Sequence, residues 1–348
     1  MKILHIVDYL MPTMGYQEFL LPKWNKKQNQ DVYILTSNLY YPVPNYNQTW
    51  KKFLGERLRK SGNTKIEGVK ITRKNILFEI NSRPWIKGLK NAIIDISPDI
   101  IMVHGTASIS AIRVAVICRI YKIPCMFDNH MVFSVVKKTF FAKVYYFLIK
   151  TVVKKMVSNV AYKVIGVTSE TCKYLKQNEG YSSNKIYHLP LGIDDKVFYP
   201  KQNKKSKKFK IIQTGKLNDD KKPQWTAMAV LELLKKGKNI ELSFIGKGSS
   251  KIKKQIIDQF YKNNFSKNLK FIDFLDQKGL CKAYNETDLC IFPEGTSLSA
   301  LEVSACKKPV IMADYLASLD RQKEGIGITY KTGNIKDLKN KISKLIEN

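Results

Sequence analysis

Short apolar runs of four to six residues recur along the chain, each cut off by glycine, proline or a polar cluster. Lys2–Val7, Val32–Thr36, Val69–Arg73, Ile100–His104, Ile123–Phe127 and Val164–Thr168 have this form in the first part of the sequence. Phe209–Thr214, Leu242–Ile245, Phe271–Leu275, Asp288–Phe292 and Pro309–Ala313 repeat it in the second. Runs with little apolar-polar alternation suit strands covered on both faces, as parallel sheets require. Between them, Tyr16–Lys27, Ser108–Tyr121, Ala300–Cys306 and Lys336–Glu347 read as helices. Phe141, Val144, Leu148, Val152 and Met156 also recur at helical spacing, which predicts a helix with this stripe in the core and Lys143, Lys150 and Lys154 on a solvated back. Strands alternating with helices predict an α/β fold built from doubly wound sheets, whose ligands sit beyond the carboxyl ends of the strands.

Residues 201–208, Lys-Gln-Asn-Lys-Lys-Ser-Lys-Lys, lack an apolar anchor and read as a linker between domains over 1–200 and 209–348. A chain of 348 residues is long enough for both. The formal net charge of +31 favours anionic partners such as nucleic acid, anionic lipid or phosphorylated substrates, although a lysine excess also accompanies AT-rich coding sequence. Only seven of the 60 basic residues are Arg, the side chain that forks onto base edges, so specific nucleic-acid readout is not expected. The six cysteines form no Cys-x-x-Cys pair and read as buried free thiols of a reducing compartment. Asp8 cuts the first apolar run short of a signal peptide, and no run reaches the roughly 18 residues of a membrane span. A cytoplasmic protein is expected.

Chemistry concentrates at 293–306. Pro293 stops the preceding strand, Gly295 lets the backbone turn, and Ser297 and Ser299 are placed to cap the helix that follows. Such a corner presents N–H groups and the positive end of a helix dipole, a seat for phosphate or a polar sugar. Glu294 and Glu302 flank it, and carboxylates there suit hydroxyl groups.

The stretch Asp288–Met312, with its Glu-x7-Glu pattern around a Gly-x-Ser-Leu loop and Ala-Cys before Lys-Pro-Val-Ile, closely resembles the signature of retaining GT-B glycosyltransferases of family 4, group 1. The resemblance spans nearly the full length. It implies GT-B architecture, two Rossmann-like doubly wound domains facing across a cleft, with the acceptor on the first and a nucleotide-sugar donor on the second. By the same resemblance Lys216 and Lys221 meet the donor diphosphate, with Lys216 standing where Arg is commoner. Gly295, Thr296, Ser297 and Leu298 hold phosphate and sugar, Glu302 takes the ribose, and the nucleobase lies against Phe274 and Leu275. The catalytic pair implied is Glu294, on the sugar hydroxyls, and His130, which follows Asp128-Asn129 and faces the donor sugar. Gly15 and Tyr16 occupy the acceptor-side loop, where the family has paired glycines and this chain keeps one. His104 and His188 read as structural. No Asp-x-Asp follows a strand, so transfer without metal or other cofactor is implied, with lysines and the helix dipole stabilising the leaving diphosphate.

The expected function is retaining hexosyl transfer from a nucleotide sugar to an acceptor hydroxyl in cell-surface polysaccharide or glycolipid biosynthesis. UDP is the commonest donor nucleotide in the family. A GT-B-fold nucleotide-sugar epimerase or hydrolase, and a non-catalytic polyanion-binding protein, are the alternatives. Thr49–Lys60 and Val135–Phe141 mix aromatic and basic residues and suit the headgroup region of an anionic membrane, which a lipid-linked acceptor would make useful. The same stretches also read as ordinary helices with a core face and a solvated back.

Overall fold

The computed structural model describes residues 1–131, 139, 144, 146–202, 206–295 and 297–347. The chain forms two compact units, Met1–Leu191 and Gly192–Asn348.

In the first unit the strands are β1 (Lys2–Val7), β2 (Asp31–Ser37), β3 (Gly62–Ile66), β4 (Val69–Lys74), β5 (Ile76–Ile80), β6 (Arg83–Ile86), β7 (Ile100–His104), β8 (Cys125–Asn129), β9 (Ala161–Gly166) and β10 (Ile186–His188). Eight of them make one sheet in the order β10-β9-β8-β7-β1-β2-β4-β3, parallel except where β3 runs against β4, while β5 and β6 form a separate antiparallel hairpin. Leu4, Ile6, Val103 and Phe127 are sealed between the sheet and the helices Leu89–Ile96, Ile109–Tyr121 and Lys154–Val160. Phe19, from the helix Gln17–Lys27, covers Val32, Ile34 and Ile71 in a second cluster. The chain builds outward from β1 to β2 and β4, then returns to place β7 on the other side of β1. That reversal leaves a crevice beyond the ends of β1 and β7.

The second unit is a six-stranded, wholly parallel sheet. Its strands are β11 (Phe209–Thr214), β12 (Ile240–Ile245), β13 (Leu269–Ile272), β14 (Leu289–Phe292), β15 (Val310–Ala313) and β16 (Ile328–Tyr330), in the order β13-β12-β11-β14-β15-β16. Every residue of β14 and β15 is buried, as their unbroken apolar runs require. The reversal here lies between β11 and β14. The helix Ile335–Glu347 buries Leu338 and Ile342 in the same cluster as Val230 and Leu234 of the helix Pro223–Lys235.

Each predicted strand has an observed counterpart, with shifted ends where side chains choose caps instead. Thr168, placed in a strand by its apolar neighbours, accepts a hydrogen bond from Thr171 N at 3.0 Å and starts the helix Ser169–Tyr174. Two readings change more. Residues 192–200 pack with the second unit, where Phe198 is buried beside Ile212 and Tyr284, and Tyr199 O accepts from Asn285 Nδ2 at 2.9 Å. The stripe Val144, Leu148 and Val152 faces outward, while Ile149, Val153 and Val157 fill the core. A wide π-type turn over Ile149–Val153 rotates the helix relative to regular 3.6-residue spacing. Met156 is half-buried against the core, and Phe141 lies outside the described residues.

The loops after β11 and β12 run against each other: Gly215 N donates to Ile245 O (3.0 Å) and Leu217 N to Lys247 O (2.9 Å). A Cβ on Gly246 would meet Gly215 O at 2.0 Å, and one on Gly248 would meet Leu217 O at 2.1 Å. Backbone atoms cannot yield as a side chain can. Gly246→Ala and Gly248→Ala are each expected to cost about 2–4 kcal/mol of unfolding free energy. Gly192→Ala, whose Cβ meets nothing within 4 Å, is expected to stay within about 0.5 kcal/mol. Urea titration of the three variants checks this.

Candidate active site

In the second unit the loops following β11 and β14, adjacent strands at the reversal, bring the lysine and glutamate segments together. Gly295 turns the chain at φ +69°, and a Cβ there would lie 3.1 Å from Lys221 Nζ, so the ammonium rests against the bare backbone of the turn. Lys221 ends a 3-10 turn, Asp219–Lys221, held by a hydrogen bond from Gln213 Nε2 to Lys221 O at 3.2 Å. Lys216 stands exposed on the same loop. The helix that follows runs Ser299–Ala305 and starts at Leu298 without a side-chain cap. The serines act differently from the capping expected of them. Ser297 Oγ accepts from Ser299 N at 3.2 Å, and the Ser299 side chain bonds to Glu302.

The two glutamates part company. Glu302 is buried, accepting from Tyr284 OH at 3.3 Å, and Tyr284 OH is in turn paired with Thr214 Oγ1 at 3.2 Å. Burial pushes its carboxyl up to about 7, against the opposing pull of its bonds to Ser299 and Tyr284. Glu294 instead accepts from Tyr315 OH, on the side of the loop nearest β15 and β16. Tyr330 OH donates to Pro293 O at 2.6 Å and Arg321 Nη1 to Ser297 O at 2.6 Å, so the loop is pinned at both ends from behind. Arg321 is buried, and burial lowers its guanidinium to about 10.

In the first unit, three of the four histidines meet: His5 within β1, His104 at the carboxyl end of β7 and His130 just after β8. Asp128, fully buried, bonds His104 Nδ1 at 2.6 Å, accepts from Gly105 N at 3.0 Å and lies 3.5 Å from His130 Nε2. His104 Nε2 faces His5 Nδ1 at 3.1 Å, and His5 Nε2 faces Asn25 Nδ2, also at 3.1 Å. One tautomer set satisfies every contact: Asn25 donates to His5, His5 to His104, and His104 to Asp128. Burial and the neighbouring His104 both hold His5 well below the usual imidazole range. His130 is different. Burial works against its charge, but Asp128 and the more distant Glu18 outweigh it and raise the ring to about 9. The side chain of His130 is 38 % exposed and is cationic at neutral pH.

A second buried carboxyl anchors this turn. Glu179 Oε1 accepts from Asn129 Nδ2 at 2.8 Å and Thr106 Oγ1 at 3.2 Å, and Asn129 Oδ1 accepts from Met131 N at 2.6 Å. His130 is thus held between Asn129, clamped to Glu179, and Met131, which bonds back to Asn129; burial pushes the Glu179 carboxyl up to about 7. Beyond β1, Asp8 accepts from Ser110 Oγ at 2.5 Å and is raised to about 6 by burial.

Of the residues singled out in the sequence, Lys221, Gly295, Ser297, Leu298 and Glu302 gather at one corner, with Lys216 on its rim and Glu294 turned to Tyr315. Phe274 and Leu275 follow β13, at the same sheet end but on the far edge strand. Thr296 lies outside the described residues. Gly15, at φ +69°, and exposed Tyr16 lead into the helix whose first turn carries Glu18, which links that loop to His130 through charge. His104, read as structural, is the bridge of the histidine chain, while His188 is exposed at the end of β10. Tyr284, Tyr315, Arg321 and Glu179 went unread: each joins the site through the fold, from segments with no local motif. Asp128 was legible, an acid two places from His130 at a strand end.

No curated protein sequence matches the chain. Solved structures share its fold across the full length. A glycosyltransferase from Rickettsia africae matches with TM-score 0.71 at 15% identity, over 99% of this chain and 88% of that one. The sucrose-phosphate synthase of Thermosynechococcus elongatus matches with TM-score 0.69 at 14% identity, over 100% and 90%. Anabaena HepE, solved in complex with UDP, matches with TM-score 0.69 at 15% identity, over 100% and 90%. Two sequence families divide the chain between them, Glycosyltransferase Family 4 over residues 27–197 and Glycosyl transferases group 1 over residues 194–348. With both Rossmann-like units matched and the Glu294–Glu302 corner folded at the strand reversal, the chain belongs to the group 1 glycosyltransferases of family 4.

Proposed function

We propose that the protein transfers a hexose from a UDP-sugar to an acceptor hydroxyl with retention at the anomeric carbon, in the assembly of a cell-surface polysaccharide or glycolipid. The observation that carries this is the Lys221 ammonium seated on the Gly295 turn, with the buried Glu302 carboxyl nearby on the same corner. A diphosphate entering there meets Lys221, Lys216 and the backbone of 295–298, while Glu302 receives the ribose hydroxyls. The structures of HepE with UDP and with UDP-glucose support the choice of nucleotide. Glu294 takes sugar hydroxyls. His130, donor-only as an imidazolium, contacts the transferred sugar and orients it.

No metal enters this reading. The leaving diphosphate is neutralised by lysine and by oriented backbone N–H groups, preorganised where the negative charge develops. Gly15 and Tyr16 border the acceptor. The acceptor is a lipid-linked or polysaccharide hydroxyl, and the protein works at the inner face of the cell membrane.

Glu302→Ala is expected to lower kcat/KM by about 2–4 kcal/mol in transition-state terms with the fold retained, since charge-assisted bonds to ribose are lost. The pH dependence has a defined sign. Glu302 accepts ribose hydroxyls best when ionised, so UDP affinity should rise as pH passes upward through about 7. Calorimetric titration of the parental protein against Glu302→Gln isolates this from the ionisation of UDP; identical pH profiles would remove the ribose role.

His130→Ala should depress kcat far more than UDP binding, because its contact is to the sugar. In the parental enzyme, activity should decline as pH rises through about 9 and the ring loses its charge. Parallel losses of kcat and UDP affinity reassign the residue to structure. Turnover should also persist in excess EDTA; collapse on chelation, restored by a divalent cation, contradicts metal-free transfer.

A further inference from the structure

The helical segment expected to bury Val144, Leu148 and Val152 turns them to solvent. Val144 is 45% exposed, Phe147 65%, Leu148 49% and Val152 52%. They recur at three- and four-residue spacing on one helix face, and Ile149, Val153 and Val157 fill the opposite face. An apolar face on each side leaves the outer one open to a partner. The neighbouring helix Ile109–Tyr121 shares the same core cluster and carries exposed Val116 and Ile120. Single exposed apolar side chains are ordinary; six on one helical layer are not.

Cations border this face. Lys150 and Lys155 are exposed on the segment itself, Arg119 and Lys122 at the end of its neighbour. From Met131 to Ser169 the sequence has seven lysines and no Asp or Glu. A second copy of the chain would bring another +31 charge against it. An acidic protein surface would answer the lysines but not the apolar stripe. An anionic bilayer answers both, with lipid phosphate for the ammonium groups and the acyl boundary for Phe147 and Leu148.

We propose that the outward face formed by Val144, Phe147, Leu148 and Val152, flanked by Val116 and Ile120, docks on an anionic lipid surface. This is a different surface from Thr49–Lys60, where Lys51 is engaged by Glu56 at 2.6 Å, and from Val135–Phe141, which lies almost wholly outside the described residues. It gives transfer to a lipid-linked acceptor a location, and rests on that reading for its purpose alone.

The test is flotation of the full chain with phosphatidylcholine vesicles, with and without phosphatidylglycerol, at low and high salt. Flotation with the anionic vesicles alone, reversed by salt, is expected. The combined change Phe147→Ser, Leu148→Ser and Val152→Ser should weaken partitioning about tenfold or more. Ile257→Ser with Tyr261→Ser, equally exposed apolar positions in the second unit, should leave it unchanged. Phe147→Trp keeps the face apolar, and its emission should shift to the blue on anionic vesicles even if the triple variant fails to fold. No flotation at low salt, flotation that survives the folded triple serine variant, or a dimer dispersed by that variant would each overturn the proposal. Thermal shift by UDP on the same preparations reports the donor site separately, so either reading can fail without the other.

Discussion

Parallel strands must be covered on both faces, and that constraint decides where chemistry can occur in this chain. β14 and β15 are buried throughout, and the central strands of the first unit are sealed between two layers of helices. Polar groups within the strands would be costly, so they collect where strands end. Each sheet reverses its strand order once, beside β1 and β7 in the first unit and between β11 and β14 in the second. Asp8 and Lys221 lie beyond those reversals, and His104 is the last residue of β7. The two clusters are thus products of topology before they are products of particular residues.

What the sequence disclosed follows from this. Strand cores were legible because burial on both faces writes an unbroken apolar run, and the 288–312 stretch was legible because a strand, turn and helix start leave residue-specific marks. The stripe 144–156 misled because periodicity reports which residues share a face, not which way that face points, and the wide turn at Ile149–Val153 alters the phase. Glu179, Tyr284 and Arg321 were invisible for another reason. Each reaches its site from a segment distant in sequence, so its partner exists only once the sheet has assembled.

The chain is strongly cationic in total, yet burial raises several of its carboxyls above their usual range. Asp8, Glu179 and Glu302 are raised to about 6, 7 and 7, each by burial. Glu179 and Glu302 have hydroxyl or amide partners in place of a close cation, and at Asp8 burial outweighs the serine bonds and the charges of Arg83 and Arg113, so the surplus of basic residues does not hold these groups ionised. Asp128 shows the contrast, since His104 and His130 keep it charged despite complete burial. Within one unit, carboxyls of similar burial are thus set to different charge by whether imidazole or amide faces them.

The clamp on His130 joins Thr106, Asn129 and Glu179, from three separate segments, through a single carboxylate oxygen and a single amide. No member can be exchanged alone without stranding a buried donor or acceptor of the others. Drift at these three sites is therefore epistatic: a viable lineage must alter them in concert or leave them fixed, so that a histidine exposed at the surface is inherited together with a polar trio that never reaches it.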